Sequence, residues 1–290
     1  MLQFDDGSAS FQKLDDLGMR DKIREQVKKL IDTKSGFLLF SAPPRQGLTA
    51  TLNATLGSSD RFVRSWSAVE DVARPEKTIE NISVTTYDAA GGESPATVLP
   101  KLARLYPDAI VCRDLVDKES VELLCEQVEA DRFVVGSVRA RDSIKALLHV
   151  LALRVDQQRF AKMVVGVLNQ RLVRKLCGTC KEAYAPTPAV LQQLRIPAGR
   201  VEAFYRPPQQ PEKVCPDCNG IGFVGRIALY ELLVCDDKFR AELAGTVKRD
   251  SLRKAARNTG MRSLQEEGVL LVVKGVTSLP EIMRVLKATK

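Results

Sequence analysis

Phe37-Leu38-Leu39-Phe40-Ser41-Ala42-Pro43-Pro44-Arg45-Gln46-Gly47-Leu48-Thr49-Ala50-Thr51-Leu52 passes from an unbroken apolar run, through a turn, into a helix start. The run Phe37 to Phe40 fits a strand buried on both faces, as in a parallel sheet. Thr49 to Leu56 reads as the opening of a helix. This is the layout of a phosphate-binding loop, G-x-x-x-x-G-K-[ST]: backbone N–H groups cradle the phosphates, the lysine reaches the β/γ-phosphates and the hydroxyl holds Mg²⁺. On that frame Ala42 stands at the first glycine, Gly47 at the second, Leu48 at the lysine and Thr49 at the hydroxyl. Loss of the lysine removes a charge-assisted hydrogen bond of about 1.5–3 kcal/mol. Pro44 withdraws one N–H from the cradle. An ordinary βα turn has the same outline, so the flanking chain must decide.

Strand-like and helix-like stretches alternate on both sides. The spacing predicts a helix over Asp21 to Ile31, with Ile23, Val27, Leu30 and Ile31 on one face. Strands are predicted over Phe62 to Ala68, Asn81 to Thr86, Ile110 to Cys112 and Phe133 to Val138. Helices are predicted over Ala96 to Tyr106, Asp117 to Ala130 and Arg139 to Leu153. Such alternation predicts a parallel, doubly wound α/β core. Glu70 and Asp71 close one strand as adjacent carboxylates, which suits a general base or a Mg²⁺ site, or simply a solvated strand end. Asp114 follows an apolar strand, the shape of a Walker B segment. The lone His149 sits among Leu147, Leu148 and Val150, where packing or surface exposure is expected rather than catalysis. From Phe160 the positions Val164, Val165, Val167, Leu168 and Leu172 predict further helix. Gly225 to Leu233 is strand-like, and Phe239 to Leu286 predicts short amphipathic helices broken at Gly245, Gly260, Gly268 and Gly275.

Two C-x-x-C pairs, Cys177/Cys180 and Cys215/Cys218, lie 34 residues apart. Together they predict one tetrahedral Cys₄ zinc site of the structural kind, since four thiolates leave no open position for catalysis. Gly178 and Gly220 are expected to relieve the two tight turns. Between them Pro186, Pro188, Pro197, Pro207, Pro208 and Pro211 mark a loop-rich insert.

The composition, 44% hydrophobic and 28% charged over 290 residues, is that of a globular chain rather than a disordered one. No apolar run approaches the roughly 18 residues of a membrane span, and the first residues are not a secretory signal, which points to a cytoplasmic protein without direct membrane insertion. The net charge of +8 and the cysteine pairs raise zinc-stapled nucleic-acid binding as a reading. Basic and acidic residues alternate, however, as in Arg20-Asp21-Lys22-Ile23-Arg24-Glu25, so no nucleic-acid partner is expected.

In this order the segments resemble the C-terminal ATPase domain of the type II secretion and type IV pilus assembly ATPase family, from about Leu14 to Val285. The resemblance is most specific late in the chain. It rests on Asn169-Gln170-Arg171-Leu172-Val173-Arg174-Lys175-Leu176-Cys177, read as the family's helix before the first knuckle, and on Cys215-Pro216-x-Cys218-Asn219-Gly220-x-Gly222-Phe223-x-Gly225-Arg226 with Tyr230-Glu231-Leu232-Leu233. Gly260-Met261-Arg262-Ser263-Leu264, Glu267-Gly268 and Gly275-Val276-Thr277-Ser278-Leu279 extend it. The resemblance implies a RecA-like P-loop core over 14–176, a zinc-binding segment over 177–233 and a C-terminal helical subdomain over 234–290. It makes 1–13 the trailing segment of a preceding domain or a linker, as in a portion of a longer protein. Implied partners are secretion or pilus machinery at the cytoplasmic face of the inner membrane, and a ring formed with itself or with an active paralogue.

The family's chemical boxes are the parts that differ. Of its loop Gly-Pro-Thr-Gly-Ser-Gly-Lys-Thr only Pro43, Gly47 and Thr49 agree. Its acidic box Glu-Asp-Pro-Val-Glu keeps Glu70 and Asp71 but has Val72 and Arg74 in place of the proline and the last glutamate. Its approach to Walker B keeps Arg104, Pro107 and Asp108, while Walker B itself, Gly-Glu-Ile-Arg-Asp, becomes Arg113-Asp114-Leu115-Val116-Asp117. Its histidine box has Arg139 where the histidine should be. Scaffold motifs kept and chemical motifs lost imply a pseudo-ATPase, a structural or regulatory subunit with structural zinc. The alternative is an active ATPase in which Arg45 supplies the missing cation. That residue stands where the family has glycine, so the loop would have to be rebuilt. Glu70 would then be the base, Asp114 and Thr49 would surround Mg²⁺, and Arg139 or Arg104 would sense the γ-phosphate. Weak ATP binding without turnover would rest on Gly47 and Thr49 at a helix N-terminus.

Overall fold

The computed structural model describes residues 12–197, 199–210 and 213–287, so nearly all of the expected trailing segment 1–13, and Pro211 of the insert, lie outside the described residues. A short 3₁₀ turn, Leu14–Leu17, leads to α1 (Asp21–Ile31), which buries the four predicted apolar residues. Then come β1 (Gly36–Ser41), α2 (Leu48–Gly57), β2 (Trp66–Asp71), β3 (Ile82–Tyr87), α3 (Pro95–Ala103), β4 (Ala109–Cys112), α4 (Lys118–Glu129), β5 (Phe133–Val138), α5 (Ser143–Ala152) and α6 (Gln157–Met163). Beyond them lie β6 (Val164–Leu176), β7 (Glu182–Tyr184), α7 (Pro188–Gln193), β8 (Phe204–Arg206) and β9 (Phe223–Val234). The chain closes with α8 (Asp237–Ala244), α9 (Arg249–Asn258), α10 (Leu264–Val273) and α11 (Leu279–Lys287).

By contact the chain groups into two units. One takes the residues up to Asn169 with Leu232–Met261; the other takes Gln170–Glu231 and the residues from Arg262. The first carries the sheet, in the order β3-β2-β4-β5-β1-β6-β9, with β6 and β9 running on past the boundary. β1 pairs in parallel with β5 and β6, β2 with β3 and β4, and β4 with β5. All six residues of β1 are buried, as a central strand covered on both faces requires. Phe37 meets Phe160 edge-on at 5.5 Å and Trp66 meets Phe133 at 6.2 Å. Because these strands run the same way, the segments after β1, β2, β4 and β5 gather at one edge of the sheet. In open parallel sheets that edge is where ligands bind.

Several boundaries depart from the sequence reading. The stretch from Val164 is a strand of 13 residues, not a helix. Its apolar residues fit a helical spacing, but many are β-branched, and pairing from Phe37↔Val164 to Ser41↔Asn169 gives them a partner that a helix would forgo. β2 begins at Trp66 rather than Phe62; Phe62 and Val63 turn outward after the Val63 N–H bonds to the Asp60 carbonyl. α5 begins at Ser143 rather than Arg139 because the Asp142 carboxylate accepts the Lys145 N–H at 2.7 Å and caps it, a contact of about 1 kcal/mol. α3 stops at Ala103, before Tyr106, which takes φ +51°.

In the second unit Val173, Phe204, Leu229, Leu264, Val272, Ile282 and Val285 form the core. Gly245, Gly260 and Gly275 end helices as expected, but Gly268 lies inside α10. A Cβ there would sit 2.9 Å from Ile282 Cγ2, so this glycine serves close approach of α11 and not a break. The helices of 234–290, expected as one subdomain, divide between the two units: α8 and α9 in the first, α10 and α11 in the second. The reason is packing, since Phe239, Leu243, Leu252 and Ala256 join the sheet's core while Leu264, Val272 and Ile282 do not.

Glu281 is buried and accepts from the Arg174 backbone N–H, from Arg174 Nη2 at 2.6 Å and from both ends of the Arg284 fork. Burial pushes its carboxyl up, but the hydrogen bonds from Arg284 and Arg174 outweigh that and hold it at about 2. A carboxyl depressed on folding stabilises above its unfolded value of 4.5 and loses that contribution as pH falls through the folded value of about 2. Both arginines are partly exposed, so Glu281→Gln is expected to cost about 2 kcal/mol at neutral pH in a urea melt. That difference from wild type should shrink progressively below the unfolded value; a constant difference down to pH about 2 contradicts the linkage.

Candidate nucleotide edge and metal centre

The loop after β1 turns into α2 through two residues of left-handed conformation. Arg45 itself takes the left-handed conformation, φ +62°, and Gly47 follows at φ +77° as the N-cap of α2. For a non-glycine residue this costs about 1–2 kcal/mol. Arg45 is exposed at the loop, Leu48 is buried, and Thr49 is exposed on the first turn of α2. The Thr49 hydroxyl donates to Glu76 Oε1 at 3.2 Å.

Glu70 and Asp71 are buried, which removes the reading of a solvated strand end. Asp71 is engaged in its own turn, accepting the Ala73 N–H at 3.1 Å and Arg74 Nε at 3.2 Å. The Ala73 N–H, more than Arg74, holds its carboxyl below the usual range. Glu70 accepts the Glu76 N–H at 3.2 Å and faces Arg113, whose Nε lies 3.6 Å from Glu70 Oε1. The Arg113 Nη1 lies 3.7 Å from Glu76 Oε1, and Nη2 donates to Asn53 Oδ1 at 2.8 Å. Asp114 takes φ +54°, its N–H donating to the Ser137 hydroxyl, and its carboxylate sits between Arg74 Nη1 at 3.3 Å and Arg139 Nε at 3.4 Å.

Thr49, Glu70, Asp114 and Arg139 thus lie on segments that end at one edge of the sheet, with Gly47 and Arg45 in the loop beside them. Arg104 does not join them: it caps α3 just before β4 begins, at the opposite edge. His149 is exposed on α5. The sequence reading missed Glu76, Asn53 and the placement of Arg113. The usable signal was Arg113 itself, a long cation at the glycine position of the Walker B pattern. Among the described residues the site has two linked layers, Thr49–Glu76–Arg113–Glu70 and Arg74–Asp114–Arg139, each carboxylate matched by an arginine. The Asn169 amide completes the edge from β6, donating to the Ser41 hydroxyl at 2.6 Å and the Ala140 carbonyl at 3.2 Å.

The second unit holds the candidate metal centre. The sulfurs of Cys177, Cys180, Cys215 and Cys218 lie within 4.8 Å of one another, with Cys177–Cys215 at 3.9 Å and Cys180–Cys218 at 3.6 Å. Thiolates placed tetrahedrally about 2.3 Å from zinc would stand about 3.8 Å apart, so the donor set fits that ion. Backbone amides point at two of the sulfurs: the Gly222 N–H donates to Cys218 Sγ at 3.2 Å, and N–H donation, first from Cys180, holds the Cys177 thiol at about 7, while burial pushes the Cys180 thiol up to about 12. Asn219 and Gly220 take positive φ in the second knuckle. Gly178 does not, and a Cβ there would meet nothing within 4 Å, so the first knuckle turns without needing glycine. The Thr179 hydroxyl donates to the Asp217 carboxylate and ties the knuckles together.

Comparison with known proteins bears on both regions. A profile described as Type II/IV secretion system protein matches residues 2–284. The type IV pilus assembly ATPase PilB of Thermus thermophilus is 26% identical over 95% of this chain and 30% of its own length. A type II secretion system protein E of Pseudomonas aeruginosa is 28% identical over 99% of this chain and 56% of its own. The chain therefore spans about a third to a half of these relatives. Among solved structures, the pilus retraction motor PilT with bound ADP superposes with a TM-score of 0.64 at 18% identity, covering 94% of this chain and 66% of that one. The ATPase DotB of Legionella pneumophila gives 0.63 at 13% identity, covering 96% and 66%. At those identities the two structures establish the fold.

Proposed function

Because the chain belongs to the Type II/IV secretion system protein family, we propose that it serves a secretion or pilus assembly machine as a pseudo-ATPase, a structural or regulatory subunit rather than a motor. The observation that carries this reading is Leu48: the position from which a P-loop lysine reaches the terminal phosphates holds a buried, uncharged side chain. Asp114, the Walker B carboxylate, is already paired with Arg74 and Arg139. The partners in this reading are other proteins of the machine at the cytoplasmic face of the inner membrane, and the subunit joins a ring with copies of itself or with an active paralogue. Zinc in the Cys₄ site is structural. No described helix is long and apolar enough to cross a membrane.

The conformation of the loop favours one narrower reading beside it. Positive φ at Arg45 and Gly47 preserves the turn into α2, so ATP binding without turnover has support that hydrolysis lacks. The test is the ATPase rate of the zinc-loaded chain with Mg²⁺, wild type against Glu70→Gln, together with calorimetric titration of ATP. Equal background rates are expected. Turnover in wild type that Glu70→Gln abolishes would overturn the pseudo-ATPase reading.

A further inference from the structure

We propose that Arg113 is a built-in counter-cation: its guanidinium neutralises Glu70 and Glu76, the carboxylates beside Thr49, in place of a divalent metal, and the wild-type chain takes up no such ion at Thr49. The proposal rests on the reading of this edge as a former nucleotide site. A P-loop metal is held by the loop's hydroxyl and a Walker B carboxylate. Asp114, at the Walker B position, is already held by Arg74 and Arg139, and the carboxylate that Thr49 meets is instead Glu76. Here the hydroxyl of Thr49 is engaged with Glu76, and Glu76 and Glu70 are joined through the Glu76 N–H. Two carboxylates in one half-enclosed site repel unless a cation lies between them. Arg113 supplies that cation, with Nε 3.6 Å from Glu70 and Nη1 3.7 Å from Glu76.

How the guanidinium is held argues that it fills a cation position and was not built as a tight ion pair. The side chains of Arg113 and Glu70 are only 12% and 9% exposed. Yet Nε and Nη1 are buried without a hydrogen-bond partner, and only Nη2 is anchored, on Asn53. A fork paired for strength would make two parallel, shorter hydrogen bonds to one carboxylate. Instead the charge is shared between two carboxylates at distances beyond hydrogen bonding, as a diffuse counter-ion would be. The residue stands at a position where the family resemblance implies glycine, so the side chain enters space that glycine would leave open.

The test is a Mn²⁺ titration read by electron paramagnetic resonance, on the zinc-loaded chain without nucleotide. Wild type and Arg113→Lys, which both keep a cation, are expected to hold no Mn²⁺ at millimolar free metal. Arg113→Ala and Arg113→Gln are expected to bind Mn²⁺ at least tenfold more tightly than wild type, and adding Glu70→Gln to either should remove the site. A Mn²⁺ site in wild type overturns the proposal whatever the variants do. So does a folded Arg113→Ala or Arg113→Gln, judged by circular dichroism, that gains no metal; the glutamine variant keeps most of the side-chain volume should alanine fail to fold. The two readings separate cleanly. Turnover without a wild-type Mn²⁺ site sinks the pseudo-ATPase and leaves Arg113 as the counter-cation, whereas a Mn²⁺ site without turnover does the reverse.

Discussion

Removing zinc by chelation, or replacing Cys215 with Ser, is expected to release one metal ion per chain and to melt the knuckle region well before the sheet. The segment between the knuckles is only partly buried: Tyr184, Val190, Leu191 and Leu194 pack against the second unit's core without entering it. α7 has no buried residue, and β7 and β8 pair over only three residues each, with Phe204 the one fully buried side chain among them. The cysteines instead form a cluster with one another. Where a segment contributes so little to a core, the metal supplies much of its folding energy, and structural zinc contributes an apparent 10–16 kcal/mol, about as much as a whole domain's stability. Elemental analysis would give the stoichiometry, and calorimetry should show two transitions where the loaded chain shows one. Unchanged melting after complete removal of the metal would mean that the four thiols pack adequately without it.

Leu48→Lys, which restores the P-loop consensus at its most important position, is expected to lower stability by about 2 kcal/mol and to restore no hydrolysis. Leu48 is 6% exposed, so the substitution loses most of a leucine's burial and places an ammonium where none is compensated. The flexible lysine stem recovers part of that loss by reaching toward the exposed loop. The rate should nonetheless stay at background, because Asp114 remains between Arg74 and Arg139 and Arg113 remains against Glu70. Urea melts and a coupled ATPase assay read the two effects separately. If Leu48→Lys alone produced turnover, the missing lysine would be the whole defect, and the arginines at the edge would be bystanders.

The chain's own letters determined a good deal. An apolar run before a glycine-punctuated turn is sufficient for a buried parallel strand, and β1 is buried at every position. The C-x-x-C spacing made the four-cysteine cluster legible, because sulfurs in tight turns are local geometry and the two pairs need only meet once. The resemblance to secretion ATPases was also legible, carried by residues of the knuckles and the last helices that hold the fold. Three things were decided only in three dimensions. Val164–Leu176 became a strand because β1 offered its free side as a partner, a choice that a 3.6-residue pattern does not encode. The tail helices divided between two units according to which core each apolar face reached. The ion-pair network formed because a parallel sheet brings strand ends to one edge, so Arg113 reaches Asn53, 60 residues away, and Glu70, which a scan along the chain treats as unrelated. Charge pairing acts through space and ignores separation along the chain, whereas the turns of the loop and the knuckles follow from neighbouring residues alone.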